Sequence, residues 1–138
     1  MDFAERRGHE MDAMPIPGAE VYYDEHFLSP EEATQFFDVL LRKCAWERRR
    51  ASFGHSVPRD EAYYGDPGTH YTYSRREYKP LPWLPELLSL KAHVEQATPM
   101  AAYTNLGLPK LGYNAVLCNL PSVTQPRINL TFRRIEHK

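Results

Sequence analysis

Pro126-Arg127-Ile128-Asn129-Leu130-Thr131-Phe132-Arg133-Arg134 is the stretch on which the fold of this chain turns. Ile128, Leu130 and Phe132 alternate with Arg127, Asn129, Thr131 and Arg133, and a period of two is the signature of a β-strand. One face of that strand is apolar. The other carries two guanidiniums, an amide and a hydroxyl. Two readings of the polar face stand side by side. An exposed edge strand with solvated charges gives this alternation, and so does a strand whose two arginines reach toward a small anion.

Working outward, 138 residues fit one domain, and 42% hydrophobic with 12% aromatic residues is enough to build a core. Seventeen Lys plus Arg balance eighteen Asp plus Glu, for a net charge of −1. That balance neither demands nor excludes nucleic acid, because local patches do the binding. Cys44 and Cys118 form no disulfide framework or metal spacing, which suits a reducing compartment. No apolar run is long enough to span a bilayer, and the N-terminus lacks the apolar core of a secretory signal. A soluble intracellular protein, cytoplasmic or nuclear and without a membrane partner, is the plain expectation.

Residues 1–18 mix charges with Pro15, Pro17 and Gly18 and read as a flexible leader. Val21-Tyr22-Tyr23 is a short strand candidate. Ser29 as N-cap, Pro30 at the first helical position and Glu32 in a capping box predict a helix start. Ala33, Phe36, Phe37, Leu40, Leu41 and Cys44 then mark one apolar helix face. Ala45 to Arg50 enters a strand, and Arg42, Lys43, Arg48, Arg49 and Arg50 form the one strongly basic patch. A solvated face and phosphate contacts explain that patch equally well. Residues 53–83 are rich in Gly, Pro and Tyr and predict short β segments joined by tight turns. Their aromatics fit a core, while the alternating Tyr71 and Tyr73 also fit a stacking surface for a base. Pro85 opens a second helix running to about Thr98, with Leu84, Leu87 and Leu88 on its inner face, and Tyr113 to Asn119 reads as a buried strand.

In order and spacing these segments resemble the AlkB family of Fe(II)- and 2-oxoglutarate-dependent dioxygenases, most of all its duplex-DNA alkylation-repair branch. The resemblance runs over about residues 20–136. It is carried by Phe53-Gly54, His55-Ser56-Val57-Pro58-Arg59, Tyr64-Gly65-Asp66, Tyr71-Thr72-Tyr73-Ser74, Pro82-Trp83-Leu84-Pro85, the Asn114–Asn119 strand and the terminal R-x-N-x-T-F-R motif. It implies an α+β, mainly β fold: a double-stranded β-helix (jelly roll) with an N-terminal lid of helices and hairpins that recognises the nucleotide. By the same resemblance Asn119, Arg127, Asn129, Thr131 and Arg133 hold 2-oxoglutarate, which suits guanidinium forks facing carboxylates. Phe53 and Gly54 match a wedge loop, shorter here by about two residues. Tyr71, Thr72 and Tyr73 match lid residues over a flipped base, and Arg48, Arg49 and Arg50 become weak phosphate contacts.

The departure from the family is as informative. Its iron sits on two histidines and a carboxylate, the first two ligands in a His-x-Asp motif. No His-x-Asp occurs in these 138 residues. His93-Val94-Glu95 lies inside the second helix and reads as a solvated face. Only Leu120-Pro121-Ser122-Val123-Thr124-Gln125-Pro126 joins the asparagine strand to Arg127, where the family has many tens of residues. The domain, residues 19–138, therefore reads as an incomplete jelly roll lacking its central strands between about 119 and 121. No catalytic residue and no metal ligand is retained, and Fe(II) binding is not expected. The parent activity implied is oxidative dealkylation of alkylated DNA or RNA bases. Three expectations follow for this chain: an inactive dioxygenase relative, a dead module that still binds nucleic acid, or a truncated product that does not fold. A monomer is expected, with open strand edges that favour aggregation.

Overall fold

A computed structural model describes residues 11–19, 21–50, 56–73, 75–98, 112–122 and 124–137, with the backbone alone for residues 49, 50, 56 and 57. Phe53, Gly54 and the first ten residues of the expected leader lie outside the described residues. Within that expected leader, Asp12–Met14 forms strand β1 and pairs antiparallel with β2, Val21–Tyr23. β2 is the short strand expected there, while β1 is wholly exposed, which is why hydrophobic periodicity does not announce it.

Helix α1 spans Pro30–Lys43 and begins where the sequence says it should. The Glu32 amide donates to Ser29 Oγ at 3.1 Å, and the Ser29 amide donates to Glu32 Oε1 at 3.0 Å, so two orphan donors are satisfied reciprocally. Glu31 and Glu32 in its first turn and Arg42 and Lys43 in its last complement the helix dipole. The buried stripe is narrower than the apolar face in the sequence. Phe36, Leu40 and Cys44 are buried, Phe37 is half-buried, and Ala33 and Leu41 are exposed, because the neighbouring layer meets α1 along one line only.

Helix α2, Pro85–Ala97, turns Leu87, Leu90 and His93 inward and leaves Leu88 exposed, which corrects the expected inner face. His93 is therefore not on a solvated face. Its ring stacks on Phe27 at 4.2 Å and its Nε2 lies 3.1 Å from the Phe27 carbonyl, so a local partner makes its burial tolerable. Lys43 Nζ meets Glu86 Oε1 at 2.5 Å and links the end of α1 to the start of α2.

Among the described residues one four-stranded antiparallel sheet, ordered β3-β4-β7-β8, forms the centre: Glu47–Arg50, Ser56–Gly65, Ala115–Pro121 and Asn129–Arg133. A separate hairpin pairs β5, Tyr71–Tyr73, with β6, Arg76–Tyr78. The register sorts the sheet into two faces. Ala62 opposes Cys118, which opposes Leu130; Tyr64 opposes Val116, which opposes Phe132. This face packs on Phe36, Leu40, Leu87 and Leu90 of the two helices. The opposite face packs Tyr63 and Ala115 against Tyr78, with Tyr71, Leu117 and Ile135 at its border. The α+β, mainly β class holds. The described sheet has four strands, two of which, β3 and β4, precede the pair that the resemblance assigns to the barrel. None of the described helices is long and apolar enough to cross a membrane.

Gly65 ends β4 at a close approach. A Cβ built there lies 2.6 Å from Thr69 Oγ1 and 2.8 Å from the Asn114 carbonyl, both nearer than side-chain carbons tolerate. The Gly65 amide also donates to the Leu81 carbonyl at 3.0 Å. Gly65→Ala is expected to cost about 1–3 kcal/mol through this clash, and Ser29→Ala about 1 kcal/mol through the lost cap. Both should appear as lower urea midpoints in a single cooperative transition. A broad, non-cooperative melt of the unsubstituted chain would show that it does not hold this fold alone.

Candidate functional site

The polar residues of the terminal motif are sorted by strand register. Asn119 opposes Asn129, Leu117 opposes Thr131 and Ala115 opposes Arg133, so Asn119, Asn129, Thr131 and Arg133 share the sheet face turned away from the helices. β4 contributes to the same face, because Glu61 opposes Asn119 and Tyr63 opposes Leu117. Two amides, a hydroxyl and a guanidinium on one face are donors suited to a small carboxylate.

Arg127 is placed differently. It precedes β8, is exposed, and borders a groove of about 800 Å³ between the helices and the β8 edge. Phe27, Phe36, Phe37, Ile128 and Phe132 make most of that groove apolar. Thr131 also borders it, since a groove along a strand edge is reached from both faces of the strand.

Arg133 is engaged by the hairpin. Its guanidinium carbon lies 5.6 Å from the centroid of the Tyr71 ring, a cation–π distance. Tyr71 in turn stacks on Tyr78 at 4.9 Å with rings 12° apart, and meets Tyr63 edge-on at 5.3 Å. Tyr71 is thus part of a packed aromatic layer. Tyr73, two residues along the same strand, is 65% exposed. The two tyrosines therefore differ in setting: Tyr71 is half-buried within that layer, and Tyr73 offers a ring to solvent. Thr72, of opposite parity, is exposed as well.

Glu61 gives no signal in the sequence beyond its two-residue spacing from Arg59 and Tyr63. In the fold it is a buried carboxylate, 3% exposed, beside the candidate anion donors. Arg59 Nε donates to its Oε1 at 2.9 Å and the Tyr78 hydroxyl donates to its Oε2 at 2.9 Å. Arg48 is held by Asp60 Oδ1 at 2.6 Å and donates to Ser122 Oγ at 3.1 Å, so its charge is matched within the protein. The side chains of Arg49 and Arg50 lie outside the described residues, as do Phe53 and Gly54.

Among the described residues no three or more His, Cys, Asp or Glu side chains gather so as to hold a metal. His93 is buried against Phe27, and His70 stacks on His137 with ring centroids 4.6 Å apart.

Burial raises the phenols of both Tyr63 and Tyr64 above the usual tyrosine value of 10.0. Tyr63 donates to the Thr69 carbonyl, and Tyr64 accepts from the Ala45 amide at 2.9 Å. With the folded value raised, stability is complete below about pH 10 and falls above it, because the unfolded chain releases these protons first. Stability should therefore fall by up to about 1.4 kcal/mol per pH unit for each phenol. Urea midpoints between about pH 9 and 11 test this; Tyr63→Phe should show a shallower decline, and an unchanged slope would refute the assignment.

No protein-family profile matches the chain. It is 39% identical over 77 residues to DNA oxidative demethylase ALKBH2 of Homo sapiens, covering 54% of this chain and 27% of that protein. It is 31% identical over 115 residues to alpha-ketoglutarate-dependent dioxygenase alkB homolog 3 of Mus musculus, covering 80% of this chain and 36% of that protein. The chain thus spans about a quarter to a third of the length of the curated relatives it matches. Similarity at this level over the matched part, in relatives of both names, supports the AlkB family for this chain.

Proposed function

We propose that this chain is a part of an AlkB-like oxidative dealkylase lineage that retains the nucleic-acid-binding and co-substrate-facing surfaces without the metal chemistry. The observation that carries this reading is the β7/β8 register. It gathers Asn119, Asn129, Thr131 and Arg133 on one face and sets the tyrosine hairpin against the same end of the sheet. The similarity to proteins named DNA oxidative demethylase supports nucleic acid as the partner class.

These residues supply hydrogen bonds and one positive charge to a dicarboxylate such as 2-oxoglutarate. They supply no ligand set for iron, so no oxidative step is derived for this polypeptide. In this reading an internal segment carrying the iron ligands is absent between about residues 119 and 121. The direct pairing of Asn119 with Asn129 lets so short a connection close without disturbing the sheet. The exposed Tyr73 ring is the element that would stack on a base, and Arg49 and Arg50, beside the internally paired Arg48, would contribute to phosphate affinity.

Two measurements on residues 1–138 test the proposal. Anisotropy of a labelled duplex containing 1-methyladenine should report binding that weakens steeply with salt. Tyr73→Ala should reduce it about tenfold, in line with the loss of one base–aromatic stack. Binding that ignores both salt and Tyr73 would refute the nucleic-acid role. In the same preparation, Fe(II), 2-oxoglutarate and methylated oligonucleotide should yield no succinate and no demethylated base. Iron-dependent turnover would overturn the claim that the metal chemistry is gone.

A further inference from the structure

The groove of about 800 Å³ lies on the helix-facing side of the sheet and follows β8 from Arg127 to Phe132, roughly 17 Å at the rise of a strand. Phe36, Leu40 and Leu90 are buried beneath it and belong to the main core cluster. Ile128, Leu130 and Phe132 pack against that cluster and form the wall on the strand side, while Ala33 and Phe37 of α1 line the other. Tyr113 and Phe132, with ring centroids 6.1 Å apart, stand at one end and Arg127 at the other.

The lining is divided in polarity. Arg127 is the one charged residue among the described residues that line the groove, and no carboxylate lies beside it there. It takes part in none of the ion pairs found among the described residues. Of the three lining hydroxyls, that of Thr34 donates to the Pro30 carbonyl at 3.0 Å and that of Tyr113 shares a hydrogen bond with Thr98 at 3.3 Å. Their polar tips are thus satisfied within the protein. A long apolar surface ending in one uncompensated cation complements one kind of molecule, an anionic head on an extended apolar tail. The volume is in the range of small-molecule sites.

We propose that this groove is a binding site for a fatty acid, its carboxylate paired with Arg127 and its acyl chain laid along Ile128, Leu130 and Phe132 toward Tyr113. The proposal does not depend on the function proposed above, because Asn119, Asn129 and Arg133 lie on the other face of the sheet. A dicarboxylate such as 2-oxoglutarate is a poor fit here. Its second carboxylate would be pressed against apolar lining with no partner.

The test uses the full 138-residue chain and dansyl-undecanoic acid, whose fluorescence rises on leaving water, kept below its micelle concentration. Emission should rise saturably, and dodecanoate should displace the probe. Octanoate should compete far more weakly, since each methylene left out costs about fourfold in affinity. Arg127→Gln should weaken dodecanoate about fivefold and leave methyl dodecanoate unchanged, because the ester has no charge to lose. Ala33→Trp, at an exposed position of α1, should fill the groove and abolish probe binding with the far-ultraviolet circular dichroism unchanged. Excess 2-oxoglutarate should displace nothing. No saturable rise, equal losses for acid and ester in Arg127→Gln, binding that survives Ala33→Trp, or displacement by 2-oxoglutarate would each overturn the proposal. So would a dimer in sedimentation that binds no probe and dissociates in Ala33→Trp, since the occupant would then be a second copy of the chain. The Arg127→Gln comparison decides the matter even if Ala33→Trp fails to fold.

Discussion

β7 is covered on both faces, and the arrangement of the molecule depends on that covering. Ala115, Val116 and Cys118 are completely buried although their side chains alternate between opposite sides of the sheet. Val116 and Cys118 meet the helices; Ala115 meets the tyrosine layer. A slip of one residue against β4 or β8 would exchange these sets and carry Asn119 and Arg133 into the helix-facing core. The apolar demand of the core thus holds the polar residues on their own face. Packing and site are one constraint seen from two sides.

The polar face is itself internally matched. A buried carboxylate is costly unless its oxygens are paired, and Glu61 has Arg59 on one oxygen and Tyr78 on the other. Tyr78 also stacks on Tyr71, over which the Arg133 guanidinium lies. Through this chain of contacts the hairpin and the candidate anion-binding strand support one another. An anion reaching Arg133 competes with, or adds to, the aromatic ring already there. The tyrosine hairpin and the terminal strand are therefore physically coupled.

Helix α1 is legible in the sequence because its signals are local. Ser29, Pro30 and Glu32 act within one turn, and the apolar stripe repeats at helical spacing. The same locality makes β8 readable from its alternation. His93 is the contrary case. A histidine beside a glutamate on a helix has the composition of a solvated face, yet it is buried because Phe27, far away in sequence, supplies both a ring and a carbonyl. Glu61 is missed for the same reason, since its partner Tyr78 comes from a hairpin 17 residues on. Tyr71 and Tyr73 are identical in type and share one strand parity. What separates core from solvent is that Tyr71 lies over Tyr63 and Tyr78 while Tyr73 lies toward the hairpin tip.

What the sequence determined by itself is the set of local elements, the parity of the terminal strand and the absence of a His-x-Asp motif, since each is written in neighbouring residues. Its resemblance to a family added an expected role for the arginines. The tertiary structure alone decided which strand lies beside which. It placed Asn119 across from Asn129, separated Arg127 from Arg133, buried Glu61 and put Cys44 and Cys118 in one core cluster. The physical reason is that strand pairing and layer packing join residues distant in the chain. Such contacts depend on the area two surfaces can bury together, a quantity that no single stretch of sequence contains.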